Sequence, residues 1–211
     1  MTRNLIAIML AGAMLAPAGA AHAASSGPEF TRAGHRLAQC LYSKRKAEVL
    51  AILGATTAEQ AQRFATILRT STACSDVTVT TREIEGGSIN APGDIFRGML
   101  AEAALRQIDG GLAPGAALAS YQRGWFAATG RDPAVDEMAV CTAEVNPAAV
   151  RGLLETTPDS ATETAAAQAL GATLGPCLPQ GATLKANRQS LRAALAEALY
   201  HRASSPALAT N

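Results

Sequence analysis

Leu191–His201 reads LRAALAEALYH, and an earlier stretch, Phe96–Arg106, reads FRGMLAEAALR. Laid together, Arg97 matches Arg192, Leu100 matches Leu195, and Ala101-Glu102-Ala103 matches Ala196-Glu197-Ala198. Each stretch follows a pair of cysteines and closes one half of the chain. The pattern is that of a tandem duplication. It predicts a mainly all-α protein built of two similar helical units, residues 24–106 and 134–202, joined by a segment at 107–133 and followed by a frayed tail at 203–211.

Working outward, the same plan recurs in both halves. Met138-Ala139-Val140-Cys141 stands where Leu37-Ala38-Gln39-Cys40 stands in the first, and Val150, Leu153 and Leu154 lie 101 residues beyond Val49, Ile52 and Leu53. Leu37, Cys40 and Leu41 recur at helical spacing, and His35 falls off that stripe, on the expected surface. Gly54 ends the second helix. Thr56-Thr57-Ala58-Glu59 and Ser160-Ala161-Thr162-Glu163 both fit the capping-box pattern of a hydroxyl residue followed three later by Glu. Asp94, Asn146 before Pro147, and Asn187 or Ser190 are the expected N-caps of later helices. Val77, Val79 and Ile84 among threonines read as a short extended piece within 76–84. A connecting helix is expected near 114–128. Its aromatics Tyr121, Trp125 and Phe126 form either a plug between the halves or the wall of a ligand groove, and the large buried area of aromatics favours the plug.

The first residues have the form of a signal peptide. Arg3 is a positive lead, Leu5–Leu15 an apolar run, and Ala21-His22-Ala23 a small-x-small pattern before a cut ahead of Ala24. Cleavage leaves 188 of the 211 residues, with 17 basic against 17 acidic side chains. A formally neutral chain lacks the electrostatic footprint of a nucleic-acid binder. The basic run Lys44-Arg45-Lys46 reads as a solvated helix turn. No later segment has the ~20 apolar residues of a membrane helix. Periplasmic or secreted localisation follows. The four cysteines, Cys40, Cys74, Cys141 and Cys177, are then expected as disulfides. Their spacings and the two mature histidines, His35 and His201, lack the close ligand pairs of structural zinc. A duplicated unit carrying two cysteines implies pairing within each half, Cys40–Cys74 and Cys141–Cys177.

No catalytic constellation is present. There is no P-loop, GxGxxG, HExxH or nucleophile elbow, and no cofactor is implied. The matched glutamates, Glu102 and Glu197, are the candidates for a carboxylate pair in an envelope-directed hydrolase. Ion pairing on a helix is the commoner role for such residues, and Glu102–Arg106 and Glu197–His201 have the i,i+4 spacing for it. Cys141, Val150-Leu153-Leu154, Cys177-Leu178-Pro179 and Leu191-Arg192 through Ala196-Glu197-Ala198-Leu199-Tyr200 together resemble a family of small exported bacterial proteins with tandem cysteine repeats and no assigned activity. The resemblance implies export and a helical repeat, and the first half departs from it at Ala73-Cys74-Ser75. An exported binding or structural protein, acting on an envelope protein or a small molecule, is the expected function.

Arg97, Glu102, Arg192 and Glu197 are expected to be architectural. Glu197 lies on a helix apolar on most sides, so its charge needs a partner. Two sources are open: an arginine of the other half, or backbone N–H groups of its own half. The second is preferred here, because a unit that once stood alone had to satisfy its own glutamate.

Overall fold

The structure, a computed structural model, describes residues 27–69, 72–75, 93–108, 123–182 and 187–204. Among these residues there are nine α-helices, two short 3-10 segments and no strand, so the fold is all-α. The first half contributes α1 (Pro28–Lys44), α2 (Lys46–Leu53), α3 (Ala58–Arg69) and α4 (Gly93–Leu105). The second contributes α5 (Pro133–Val145), α6 (Pro147–Glu155), α7 (Ala161–Ala169), α8 (Gly171–Cys177) and α9 (Arg188–Ser204). The expected signal peptide at 1–23, the expected extended piece at 76–84 and the expected tail beyond Ser204 lie outside the described residues. So do residues 109–122. The described part of the expected connecting helix is a 3-10 turn, Gly124–Ala128.

Local chemistry sets the helix starts. Asp132 accepts from the Ala134 N–H with Pro133 in the first turn of α5, and Asn146 accepts from the Ala149 N–H ahead of Pro147. Both place proline where its missing donor costs nothing. Asn187, not Ser190, caps α9, accepting from the Ser190 N–H at 2.8 Å. Asp94 lies inside the first turn of α4, which begins at Gly93, so its charge meets the helix dipole instead of capping it. In the first capping box the register is one residue later than expected. Thr57 receives the Gln60 N–H at 3.2 Å, and the Gln60 side chain accepts from the Thr56 N–H at 3.0 Å. The second box forms as read: the Glu163 N–H bonds Ser160 Oγ at 3.1 Å, and Glu163 Oε2 accepts from the Asp159 N–H at 2.8 Å.

The two matched stretches, Phe96–Arg106 and Leu191–His201, form the centre of the molecule. Every residue from Ile95 to Leu105 in α4 is buried, and every residue from Leu191 to Tyr200 in α9. Helices covered on all sides can carry little polar surface, which accounts for their alanine and leucine content. α1 and α2 pack on α4, and α5 and α6 pack on α9. Arg97 of α4 meets Glu197 of α9 while Glu102 meets Arg192, so the central helices run in opposite directions. They approach most closely at Gly98. A Cβ there would stand 2.3 Å from both the Cα and Cβ of Ala193, so only glycine fits. Gly98 and Ala193 are matched positions of the duplication, and their contact marks an approximate two-fold axis exchanging the halves.

Each half is stapled internally. Cys40 of α1 is bonded to Cys74, with Cα atoms 6.0 Å apart, and Cys141 of α5 to Cys177 at the end of α8, 5.5 Å apart. Each bridge ties the first helix of its half to the segment after the third helical stretch, closing loops that contribute roughly 3–4 kcal/mol each. Among the described residues no helix is long and apolar enough to cross a membrane.

Candidate functional site

The four matched charged residues are all buried, and they cross the two-fold axis. Arg97 donates from Nε to Glu197 Oε1 at 2.5 Å. Its two other nitrogens donate to the carbonyls of Ile52 and Leu53, the last of α2, with the Leu53 bond at 3.0 Å. Arg192 repeats the arrangement from the other side. Its Nε and Nη2 each donate to one Glu102 oxygen at 2.9 Å, in the bidentate geometry that makes such pairs strong. Nη1 and Nη2 also reach the carbonyls of Leu153 and Leu154, at 3.1 and 2.8 Å, the last turn of α6. Each arginine thus closes the C-terminus of the second helix of its own half, where carbonyls lack intrahelical partners and a cation is favoured. Each also neutralises the glutamate of the opposite half.

This corrects the expected source of Glu197's partner. An arginine of the other half supplies it, not backbone N–H groups of the same half. The reason is helical: in the middle of α9 every backbone N–H is already used by the helix, so a buried carboxylate must be met by side chains. Three meet it. Besides Arg97, Arg131 donates to Glu197 Oε2 at 2.5 Å, and His201 lies 3.8 Å from Oε1 at the expected i,i+4 spacing. Arg131 also donates to Asp136, at 2.7 Å, whose other oxygen accepts from the Thr129 hydroxyl. Around Glu102 the set is Arg192, Arg106 at 3.0 Å and His35 at 3.4 Å, with Glu163 on the far side of Arg192 at 2.9 Å. The Glu197 cluster thus holds two carboxylates and two guanidinium groups, and the Glu102 cluster two carboxylates with Arg192, Arg106 and, 3.8 Å from Glu163, the more exposed Arg188.

The charge states follow from this. Burial would raise the Glu197 pKa, but Arg97, His201 and Arg131 outweigh it and hold the carboxyl at about 2. Burial acts likewise on Glu102, where Arg192, His35 and Arg106 bring the pKa below the ordinary value. Burial pushes the Asp136 carboxyl up against the opposing pull of Arg131. His35 is buried, contrary to the surface position expected for it, and burial lowers its pKa to about 4 despite Glu102. The buried residues of α1 are Thr31, Ala33, Gly34, His35, Ala38 and Leu41, most of them small, and α1 packs on α4.

Of the three connecting aromatics, Tyr121 lies outside the described residues, Phe126 is half-buried and Trp125 is 4% exposed. The Trp125 ring stacks on His201 of the second half, centroids 4.4 Å apart and planes at 11°. Its 3-10 turn packs against α3 of the first half. It is a plug between the halves.

No family model, curated sequence or solved fold matches this chain. The geometry alone carries the functional reading. Beside the charged centre, the described residues form a groove of about 420 Å³ at Glu102, walled by Arg106, Ile108, Arg151, Leu154, Glu155 and Leu199. A smaller hollow of about 350 Å³, lined by Tyr42, Lys46 and Gln107, shares Arg106 with it. Among the described residues no cluster of His, Cys, Asp and Glu has a metal-holding arrangement. Sequence reasoning selected Arg97, Glu102, Arg192 and Glu197. It missed Arg131 and Asp136, which have no charged counterpart of the same kind in the first half. It read Glu163 only as a capping residue, whereas one of its oxygens caps α7 and the other holds Arg192.

Proposed function

We propose that the chain is an exported protein of the cell envelope that acts by binding. The observation that carries this reading is the state of the two duplicated carboxylates beside an open groove. Glu197 is wholly buried and ionised between two guanidinium groups. Glu102 has both oxygens engaged by arginine and lies under the groove. A general acid must hold a proton near neutral pH, and a general base must have a lone pair free for substrate. Both carboxylates are held ionised by arginine, which weighs against either serving as a general acid. A groove bordered by a rigid, charge-balanced network is instead suited to recognition.

The signal-peptide pattern and the two disulfides support a periplasmic or secreted location. The resemblance to exported bacterial proteins with tandem cysteine repeats belongs to the same proposal. The test is recovery of partners from envelope extract with the mature protein as bait, identifying both lipid and protein. A reproducible partner supports binding. Turnover of an envelope polymer that is lost in Glu102→Gln while the fold persists would reverse the reading in favour of the hydrolase.

A further inference from the structure

The approximate two-fold axis makes the Glu102 groove one of two equivalent places in the molecule. Exchange of α4 with α9 puts Arg106 at the place of His201, Glu102 at that of Glu197 and Leu105 at that of Tyr200. Exchange of α2 with α6 puts Leu154 at the place of Leu53 and Arg151 at that of Leu50. On the Glu197 side this place is filled by the chain itself. The turn Gly124–Ala128 comes against Thr56, just past the end of α2, with a Cβ on Gly124 3.4 Å from the threonine methyl. It lays Trp125 on His201. On the Glu102 side no described segment does the same, and among the described residues a space of about 420 Å³ stays open.

We propose that the open groove receives an aromatic side chain of a partner polypeptide, stacked on the Arg106 guanidinium as Trp125 stacks on His201. The inference rests on the binding reading above and names the class of ligand. Three features fit it. Arg106 is held along one edge by Glu102, at 3.0 Å, and its side chain is 45% exposed. A guanidinium fixed by its edge keeps its face for an aromatic ring. Leu105, Ile108, Leu154 and Leu199 supply apolar walls. Arg151, on the same wall, has its Nη2 buried with no hydrogen-bond partner among the described residues. A carbonyl of the peptide carrying the aromatic residue satisfies that donor, which a bare hydrocarbon cannot do.

The experiment uses the full mature chain with labelled leucine and isoleucine methyls, titrated with N-acetyltryptophanamide and, separately, N-acetylleucinamide. The expected result is saturable methyl shifts at Leu105, Ile108, Leu154 and Leu199 with the tryptophan amide, and roughly fivefold weaker binding of the leucine amide. Arg106→Ala should weaken the tryptophan amide by a similar factor. Arg106→Lys keeps the charge near Glu102 but lacks the plane, and should weaken it in the same way if the alanine variant folds poorly. Absence of shifts in these methyls up to the solubility limit overturns the proposal, as does equal binding by wild type and the lysine variant. The two readings fail separately. Partners recovered from envelope extract equally by wild type and Arg106→Lys keep the binding function and discard this groove. Methyl shifts without any partner in the extract keep the groove and remove the envelope partner.

Discussion

Glu197→Gln isolates the charge at the centre of the molecule. The amide has the shape of the carboxyl and cannot ionise, so it stands for the protonated acid inside the folded protein. The native Glu197 pKa of about 2, against an ordinary 4.5, means the folded state favours the ionised form. By linkage that preference is worth about 3 kcal/mol at neutral pH. A second route gives a similar figure: removing one partner of a buried ion pair costs roughly 3–5 kcal/mol, because the other charges stay buried. Arg97 and Arg131 are both nearly inaccessible, but each keeps neutral or charged partners, the α2 carbonyls for one and Asp136 for the other. The lower end of the range is therefore expected, about 3 kcal/mol, or roughly 10 °C in melting temperature for a chain of this size. The assay is urea unfolding with disulfides intact, repeated from pH 7 to pH 2. The folded pKa is the lower one, so wild-type stability is full above the ordinary carboxylate range and falls as pH drops from about 5 toward 2. The Gln variant lacks that decline, and the two curves should converge at the acid end. A difference under about 1 kcal/mol at pH 7, or curves that stay parallel to pH 2, would refute the assignment of Glu197 as a buried, arginine-held anion.

His35 has the same consequence by an opposite route. Its folded pKa of about 4 lies below the ordinary 6.5 because burial disfavours the cation, so the unfolded chain takes up a proton first, and stability should fall as pH drops from about 6.5 through 4. His35→Gln should flatten the upper part of that decline, as read from urea midpoints across this range. Gly98→Ala should destabilise by at least about 1–3 kcal/mol in thermal unfolding, because the new methyl meets the Ala193 backbone. Gly152→Ala, where an added Cβ meets nothing within 4 Å, should instead stabilise α6 by up to about 1 kcal/mol in the same measurement. Trp125→Ala should cost about 3–5 kcal/mol, since a buried plug between two halves leaves a cavity that neither can fill alone, and calorimetry reads it directly.

The central helices were legible because a duplicated LAEA stretch is a signal of pattern, independent of any partner. The disulfide pairing was legible for the same reason, since a repeat with two cysteines carries its own connectivity. Partner choice was not. Arg97 and Glu102 lie five residues apart and face different neighbours, and which neighbour depends on α4 and α9 meeting in opposite directions at Gly98. Nothing in the spacing of one helix states that. The burial of His35 was hidden for another reason. The buried face of α1 is mostly threonine, glycine, alanine and histidine, so of the three residues hydropathy pointed to, only Leu41 is fully buried, while Leu37 and Cys40 are partly buried. Small residues are selected there by the closeness of two helices, and closeness has no hydropathy signature.

The exchange of arginines also bears on what a half could do alone. Cut at the connecting segment, the first half would keep its disulfide, its helix caps and the contact of Arg97 with the α2 carbonyls. It would lose Arg192, the bidentate partner of Glu102, and it would expose the α4 face around Gly98. A buried glutamate left with Arg106 and a histidine held neutral by burial is under-compensated. The second half would lose Arg97, and a cut ahead of Arg131 in the connecting segment would leave that guanidinium on Glu197. The two halves are therefore unequal in their dependence, although they share one plan. The internal staples hold the outer helices of each unit, and the charges hold the units to each other. A single unit of this kind satisfies its glutamate fully only against a second one, where each contributes the arginine the other lacks.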